Sequence, residues 1–285
     1  MLRKSLSFVV PPGKTCQRKV SPISFTRIRW CWTWVSLLLA SGFPLNRSLS
    51  AVYPGNGDGS HGGEIGKGSL ELKDNGTYVT ATLTRGTAPL DGDLVLFIDS
   101  VPGGFSSTSP FSDKSSELPR AISGVDSSGA MRTTANFAPG FTADYAIAVG
   151  VNAGGGIYHL VQTDVGAVLE RVGAVTLSPP GSQSYATYTF TFDWTLIGLP
   201  RTRTNFFMFE SIYASTGGRR STESFESVTG SGDWGGTLNF SNFDVYGVNP
   251  VPEATNAALV IFSGIVVFAG SAGWVRKLLK AKNAT

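Results

Sequence analysis

The chain has 285 residues and carries 23 Lys and Arg against 20 Asp and Glu, a formal net charge of +3. Eight of those cations fall in residues 1–50 and four in 276–282, which leaves eleven facing all twenty acids between 51 and 256, a net charge of −9 for the middle. An acidic middle argues against nucleic acid or anionic lipid as its partner. With the only two cysteines at Cys16 and Cys31, it also excludes a disulfide framework, a Cys-ligated metal and a Cys nucleophile.

Residues 1–29 are basic and carry Pro11, Pro12 and Pro22 with no helical or strand period. An apolar stretch follows from Trp30 to Ala40, closed by Gly42 and Pro44, and Ser48 and Ser50 then place small residues at −3 and −1 before Ala51. This is the order of a secretory signal occupying 1–50, with a long basic leader or a true start downstream of Met1. Residues 51–63, rich in Gly, Asn, Asp and Ser, read as a flexible leader without pattern.

Regular structure is expected over 64–249. Leu70 and Leu72 alternate with polar residues, Asp74-Asn75-Gly76 supplies a turn, and Val79, Ala81 and Leu83 alternate again, which predicts a β-hairpin with one wet face. Asp93 to Asp99 is a continuous apolar run between acids, as in a central strand covered on both faces. Further strands are predicted at 145–151, 157–162, 172–177, 186–194, 205–213 and 238–248, between loops at 101–116, 138–142, 178–184 and 229–236. Only Asp193 to Leu199 reads as a helical turn, with Asp193 as N-cap. Many short strands joined by Gly- and Ser-rich loops predict an all-β fold, an antiparallel β-sandwich of jelly-roll type. Three strand patterns, Asp93 to Asp99, Asp144 to Val149 and Tyr188 to Leu199, resemble bacterial carbohydrate-binding, DOMON-like sandwiches, and the resemblance implies a sugar ligand.

Catalysis has few candidates. His61 and His159 are the only histidines, and both read as ordinary residues, one in the leader and one in a strand. Glycoside hydrolysis would need two carboxylates drawn from Asp91, Asp93, Asp99, Glu210, Glu223 and Glu226, at a separation of about 5 to 10 Å that sequence does not show. Asp91-Gly92-Asp93 offers hard oxygen ligands for a structural calcium ion, but no EF-hand loop is present and no other cofactor is indicated. The one binding handle is Trp234 beside Asp233 in Gly230-Ser-Gly-Asp-Trp-Gly-Gly236. There the ring either stacks on a sugar, with Asp233 bonding its hydroxyls, or folds back to cap the core.

The C-terminal 35 residues have their own order. Val251, Pro252, Glu253 and Ala254 lead into an uncharged run from Ala254 to Val275. As a helix at about 1.5 Å per residue, that run would extend roughly 33 Å, enough for a hydrocarbon core of about 30 Å. Arg276, Lys277, Lys280 and Lys282 follow as a basic stop that would stay cytoplasmic. A buried core helix and an unprocessed tail anchor are the other readings of this run. The arrangement resembles the PEP-CTERM sorting signal of bacterial envelope proteins: a motif at 251–254, a transmembrane helix over 255–275 and a basic stop over 276–282, with Ala254 standing where the family has a second Pro. The resemblance implies recognition of the tail by an exosortase, a membrane transpeptidase, and an exported protein retained at the cell surface or in the extracellular matrix. The sequence thus points to a noncatalytic exported protein binding extracellular polysaccharide, with a secreted glycan-active hydrolase as the alternative.

Overall fold

The computed structural model describes residues 49–202 and 205–247. The sorting motif Val251, Pro252, Glu253 and Ala254, the apolar run and the stop residues Arg276, Lys277 and Lys280 lie outside the described residues, as does the signal segment up to Ser48. Among the described residues no helix is long and apolar enough to cross a membrane.

The fold is all-β. Among the described residues thirteen strands occur: β1 (Ser50–Pro54), β2 (Ser69–Asp74), β3 (Tyr78–Thr84), β4 (Asp93–Asp99), β5 (Thr134–Asn136), β6 (Tyr145–Gly150), β7 (Gly154–Thr163), β8 (Gly166–Val175), β9 (Thr187–Asp193), β10 (Phe206–Ala214), β11 (Val228–Gly230), β12 (Thr237–Phe240) and β13 (Asp244–Gly247). They form a four-stranded sheet β1-β2-β3-β9, a six-stranded sheet β13-β10-β4-β6-β7-β8 and a small sheet β11-β12-β5. Pairing in the two larger sheets is antiparallel, whereas β12 and β5 run parallel.

β4 organises the molecule because its unbroken apolar run feeds two cores. Leu94, Leu96 and Ile98 enter a core shared with the four-stranded sheet, among Leu70, Leu72, Val79, Ala81, Phe190 and Phe192. Val95 and Phe97 point the other way into a second core with the helix α1 (Glu117–Ser123), Ala135, Phe141 and Leu238. Full burial of an aromatic or aliphatic side chain contributes about 1.5–3 kcal/mol, so a strand with five such residues on two faces is a strong organiser. At one end of the first core Trp194 is fully buried, stacks on Tyr246 with ring centroids 6.3 Å apart, and donates its indole N–H to Asp74 Oδ1 at 3.2 Å. In the second core the fully buried Arg220 guanidinium donates to Thr108 Oγ1 (2.7 Å), to the Thr133 carbonyl (3.1 Å) and to the Ala121 and Ile122 carbonyls of α1.

Several expectations hold. The β2–β3 hairpin pairs Leu70 with Leu83 and Leu72 with Ala81. Asp193 caps a 3₁₀ turn (Trp194–Ile197), its side chain accepting the Thr195 N–H at 3.0 Å. Others are corrected. The 51–63 leader is not loose: β1 pairs with β2, and the residues after it are tied down by hydrogen bonds described below. The single strand expected over 238–248 is two, β12 and β13, parted at Ser241–Asn242, where the Asn242 Oδ1 accepts the Ser227 N–H at 2.9 Å. α1 went unread because seven residues make two turns, too few for a helical period to declare itself.

Candidate functional site

The site is assembled around the glycine-rich segment 55–68 and the segment after β10. Glu223, fully buried, accepts four backbone N–H groups of that loop. Its Oε1 takes those of His61 (2.9 Å) and Gly63 (2.8 Å), and its Oε2 those of Ile65 (3.1 Å) and Gly66 (3.3 Å). A carboxylate has about four lone-pair sites, so this one is saturated by main chain alone. Glycine is required where the loop crosses itself, since a Cβ on Gly55 would lie 2.3 Å from the Ile65 and Gly66 carbonyl oxygens. The Asn56 N–H donates to the Ser224 carbonyl at 2.8 Å and the Gly57 N–H to Gly66 at 2.6 Å, closing the loop on the same segment.

The loop sets out a line of polar side chains. Asp233, exposed, pairs with Arg219 at 3.5 Å, and Arg219 Nη2 lies 3.3 Å from His61 Nε2. The His61 ring meets the edge of Tyr213 with centroids 6.2 Å apart. The Tyr213 hydroxyl accepts the Gly92 N–H at 2.6 Å and donates to Asp91 Oδ1 at 3.1 Å. Burial and the Arg219 charge both hold the His61 imidazole below the usual histidine value, so it is neutral over most of the physiological range. Glu64, only 2% exposed, is turned inward beside Glu223, with Oε2 lacking a hydrogen-bond partner. Burial first, and then the Glu223 charge against the pull of a backbone hydrogen bond, raises its carboxyl to about 7.

Trp234 is half-buried and belongs to neither core. Its loop is pinned from behind: Thr133 Oγ1 donates to the Gly232 and Asp233 carbonyls at 3.2 and 3.3 Å, and the Gly235 N–H donates to the Arg132 carbonyl at 2.7 Å. Of the two residues the sequence singled out here, Asp233 pairs with Arg219, and Trp234 follows it in the same loop. The sequence alone missed His61 and Arg219, whose pairing spans 158 positions and leaves no local signal.

The six carboxylates named for hydrolysis differ in exposure and in partners. Asp91 is exposed, while the other five are buried. Asp99 accepts the Thr142 N–H at 2.8 Å and Glu210 that of Ala138 at 2.8 Å. Glu226 accepts the Ser211 N–H (2.8 Å) and the hydroxyls of Ser211 (2.7 Å) and Ser224 (2.5 Å). Burial lifts Glu210 to about 9 and Glu226 to about 8. Asp91 and Asp93 do not converge on one point: Asp91 bonds Tyr213, whereas a Cβ on Gly150 would lie 2.0 Å from Asp93 Oδ1, which places that carboxyl against β6. Among the described residues no group of three or more His, Cys, Asp and Glu side chains could hold a metal ion. Comparison of the chain with models of protein families, with curated proteins and with solved structures finds no match.

Proposed function

We propose that the chain is an exported, noncatalytic surface protein whose sandwich-type domain binds extracellular polysaccharide along the line from Trp234 and Asp233 across Arg219 to His61. Its PEP-CTERM-like tail, with a transmembrane helix over 255–275, holds it at the envelope for an exosortase. The observation that carries this reading is the contrast in exposure. Asp233 and Arg219 are 81% and 43% exposed and Trp234, next in the chain, is half-buried, whereas five of the six acids available for hydrolysis are buried. An aromatic wall flanked by hydrogen-bonding and charged groups is the usual composition of a sugar site.

The hydrolase reading retains one favourable point, because a carboxyl raised to about 7, as Glu64 is, suits a general acid. At 2% exposed, however, Glu64 is screened from a glycosidic oxygen.

The test expresses the full chain, and a chain ending at Asn249, in an exosortase-bearing bacterium. The full chain should fractionate with membrane and then cell surface, the shortened one should be released, and surface material should retain extracellular polysaccharide without cleaving it. Cytoplasmic retention of both forms would refute export. Robust polysaccharide turnover would replace binding by hydrolysis.

A further inference from the structure

Glu64 stands apart from the exposed polar line, yet it lies in the loop that presents His61 and that Glu223 holds from beneath. Glu64 is 2% exposed with Oε2 unpartnered, and the amides on either side of it, Gly63 and Ile65, are both held by the buried Glu223 carboxylate; the charges that act on it, those of Glu223 and Asp91, are both negative. The acceptor sites of Glu223 are taken by the four N–H groups it holds. A cation between the two acids would compete with those same N–H groups. Glu64 is thus the member of the pair that must stay neutral while the loop is closed. The other ionisable groups nearby are Tyr213 on β10, Asp91 ahead of β4, and His61 and Lys67 on the loop itself. Arg219 reaches the loop from the turn after β10.

We propose that loop 61–66 is a proton-operated clasp. With Glu64 protonated the loop closes on Glu223 and holds His61 against Arg219; with Glu64 ionised the two carboxylates repel, the loop opens, and the His61–Arg219–Asp233 line loosens. The consequence for ligand binding rests on the polysaccharide reading above, but the clasp does not. The sign follows from linkage. Glu64 keeps its proton in the closed state up to about 7, against an ordinary value of 4.5 when the loop is open. Closure is therefore favoured in acid and weakens as pH rises between those two values, by up to tenfold per pH unit. Above about 7 the loss is complete and constant.

The experiment is hydrogen exchange by mass spectrometry on the full chain in detergent, without ligand, with protection corrected for the intrinsic pH dependence of exchange. Protection in the peptide carrying the amides of His61, Gly63, Ile65 and Gly66 should fall by about 100-fold between pH 5 and pH 8, while β4, which opens with the fold as a whole, follows the separate trend set by Asp93, Glu210 and Glu226. In Glu64→Gln, whose side chain is neutral at every pH, the slope should vanish whatever the absolute level. In His61→Asn the slope should persist. A wild-type loop with no pH slope, a slope retained in Glu64→Gln, or a slope lost in His61→Asn would each overturn the clasp. Because no sugar enters the measurement, failure to bind polysaccharide would leave these outcomes unchanged, and a flat exchange profile would leave the binding reading untouched.

Discussion

Glu223 and Asp93 are both fully buried acids, and they could hardly be lodged more differently. Glu223 accepts four backbone N–H groups from a loop that has no other way to bury them. Asp93, at the start of β4, has no hydrogen-bond partner for either carboxyl oxygen. Burial, reinforced by the neighbouring Glu117 carboxyl, pushes Asp93 up to about 8, so it rests in the fold as a neutral acid. Burial of a carboxyl therefore says little about function. Its partners decide whether it is a fastener or a liability. Glu223 organises the candidate site, whereas Asp93 is carried by a strand whose neighbours on both faces offset its cost.

The widest separation between the two should come from removing each side chain's charge. Glu223→Ala leaves four main-chain donors without an acceptor, and since each buried unsatisfied group costs about 1–3 kcal/mol, partly recovered by water, the change should lower stability by about 4 kcal/mol. Glu223→Gln, which keeps one carbonyl oxygen, should cost about half as much. Urea unfolding of the full chain in detergent, followed by tryptophan fluorescence, measures both. A loss below about 1 kcal/mol for the alanine variant would mean that the loop is held by its other hydrogen bonds and that the comparison is misdrawn.

Asp93 should respond in the opposite sense and with pH. Its folded value lies above its ordinary one of 3.8, so the stability it permits is complete below that value and is lost as pH rises through about 8. Asp93→Asn should therefore gain on wild type as pH rises, by about 4 kcal/mol between pH 5 and pH 9. Glu210 and Glu226 impose the same downward trend, so the variant should flatten only part of it. Equal destabilisation by Asp93→Asn at both pH values would show instead that its carboxylate is paired.

The same contrast explains what the sequence disclosed. The continuous run at Asp93 to Asp99 announced a two-faced central strand, and the alternation around Asp74-Asn75-Gly76 announced a hairpin, because both depend on neighbours in the chain. β1 was hidden because only Tyr53 of its five residues is buried, which leaves no alternation to see. β5 and β11, at three residues each, are too short for any period. Glu223 was visible as an acid, but not as the acceptor for His61, Gly63, Ile65 and Gly66, because those partners lie 157 to 162 positions away. A glycine-rich stretch read as slack is a strap once a distant carboxylate supplies the acceptor that its own residues lack.

The smallest effect on stability is expected at Trp234, and there it is most informative. The indole lies outside both cores, on a loop fixed from behind by Thr133 and Arg132, so its removal should leave the scaffold standing. Trp234→Ala should therefore cost less than about 1 kcal/mol of stability, far from the roughly 3–5 kcal/mol of a truncated core aromatic. Trp194, which stacks on Tyr246 and bonds Asp74, is the internal standard for that larger loss. If Trp234 forms the wall of a sugar site, the same substitution should weaken polysaccharide binding by about 1–3 kcal/mol, the range for an aromatic anchor at an interface. Affinity and urea midpoint measured on one preparation keep the two roles apart. A large fall in stability would make Trp234 a cap on the fold, and unchanged affinity with unchanged stability would remove the indole from the binding line and leave Asp233, Arg219 and His61 to account for it.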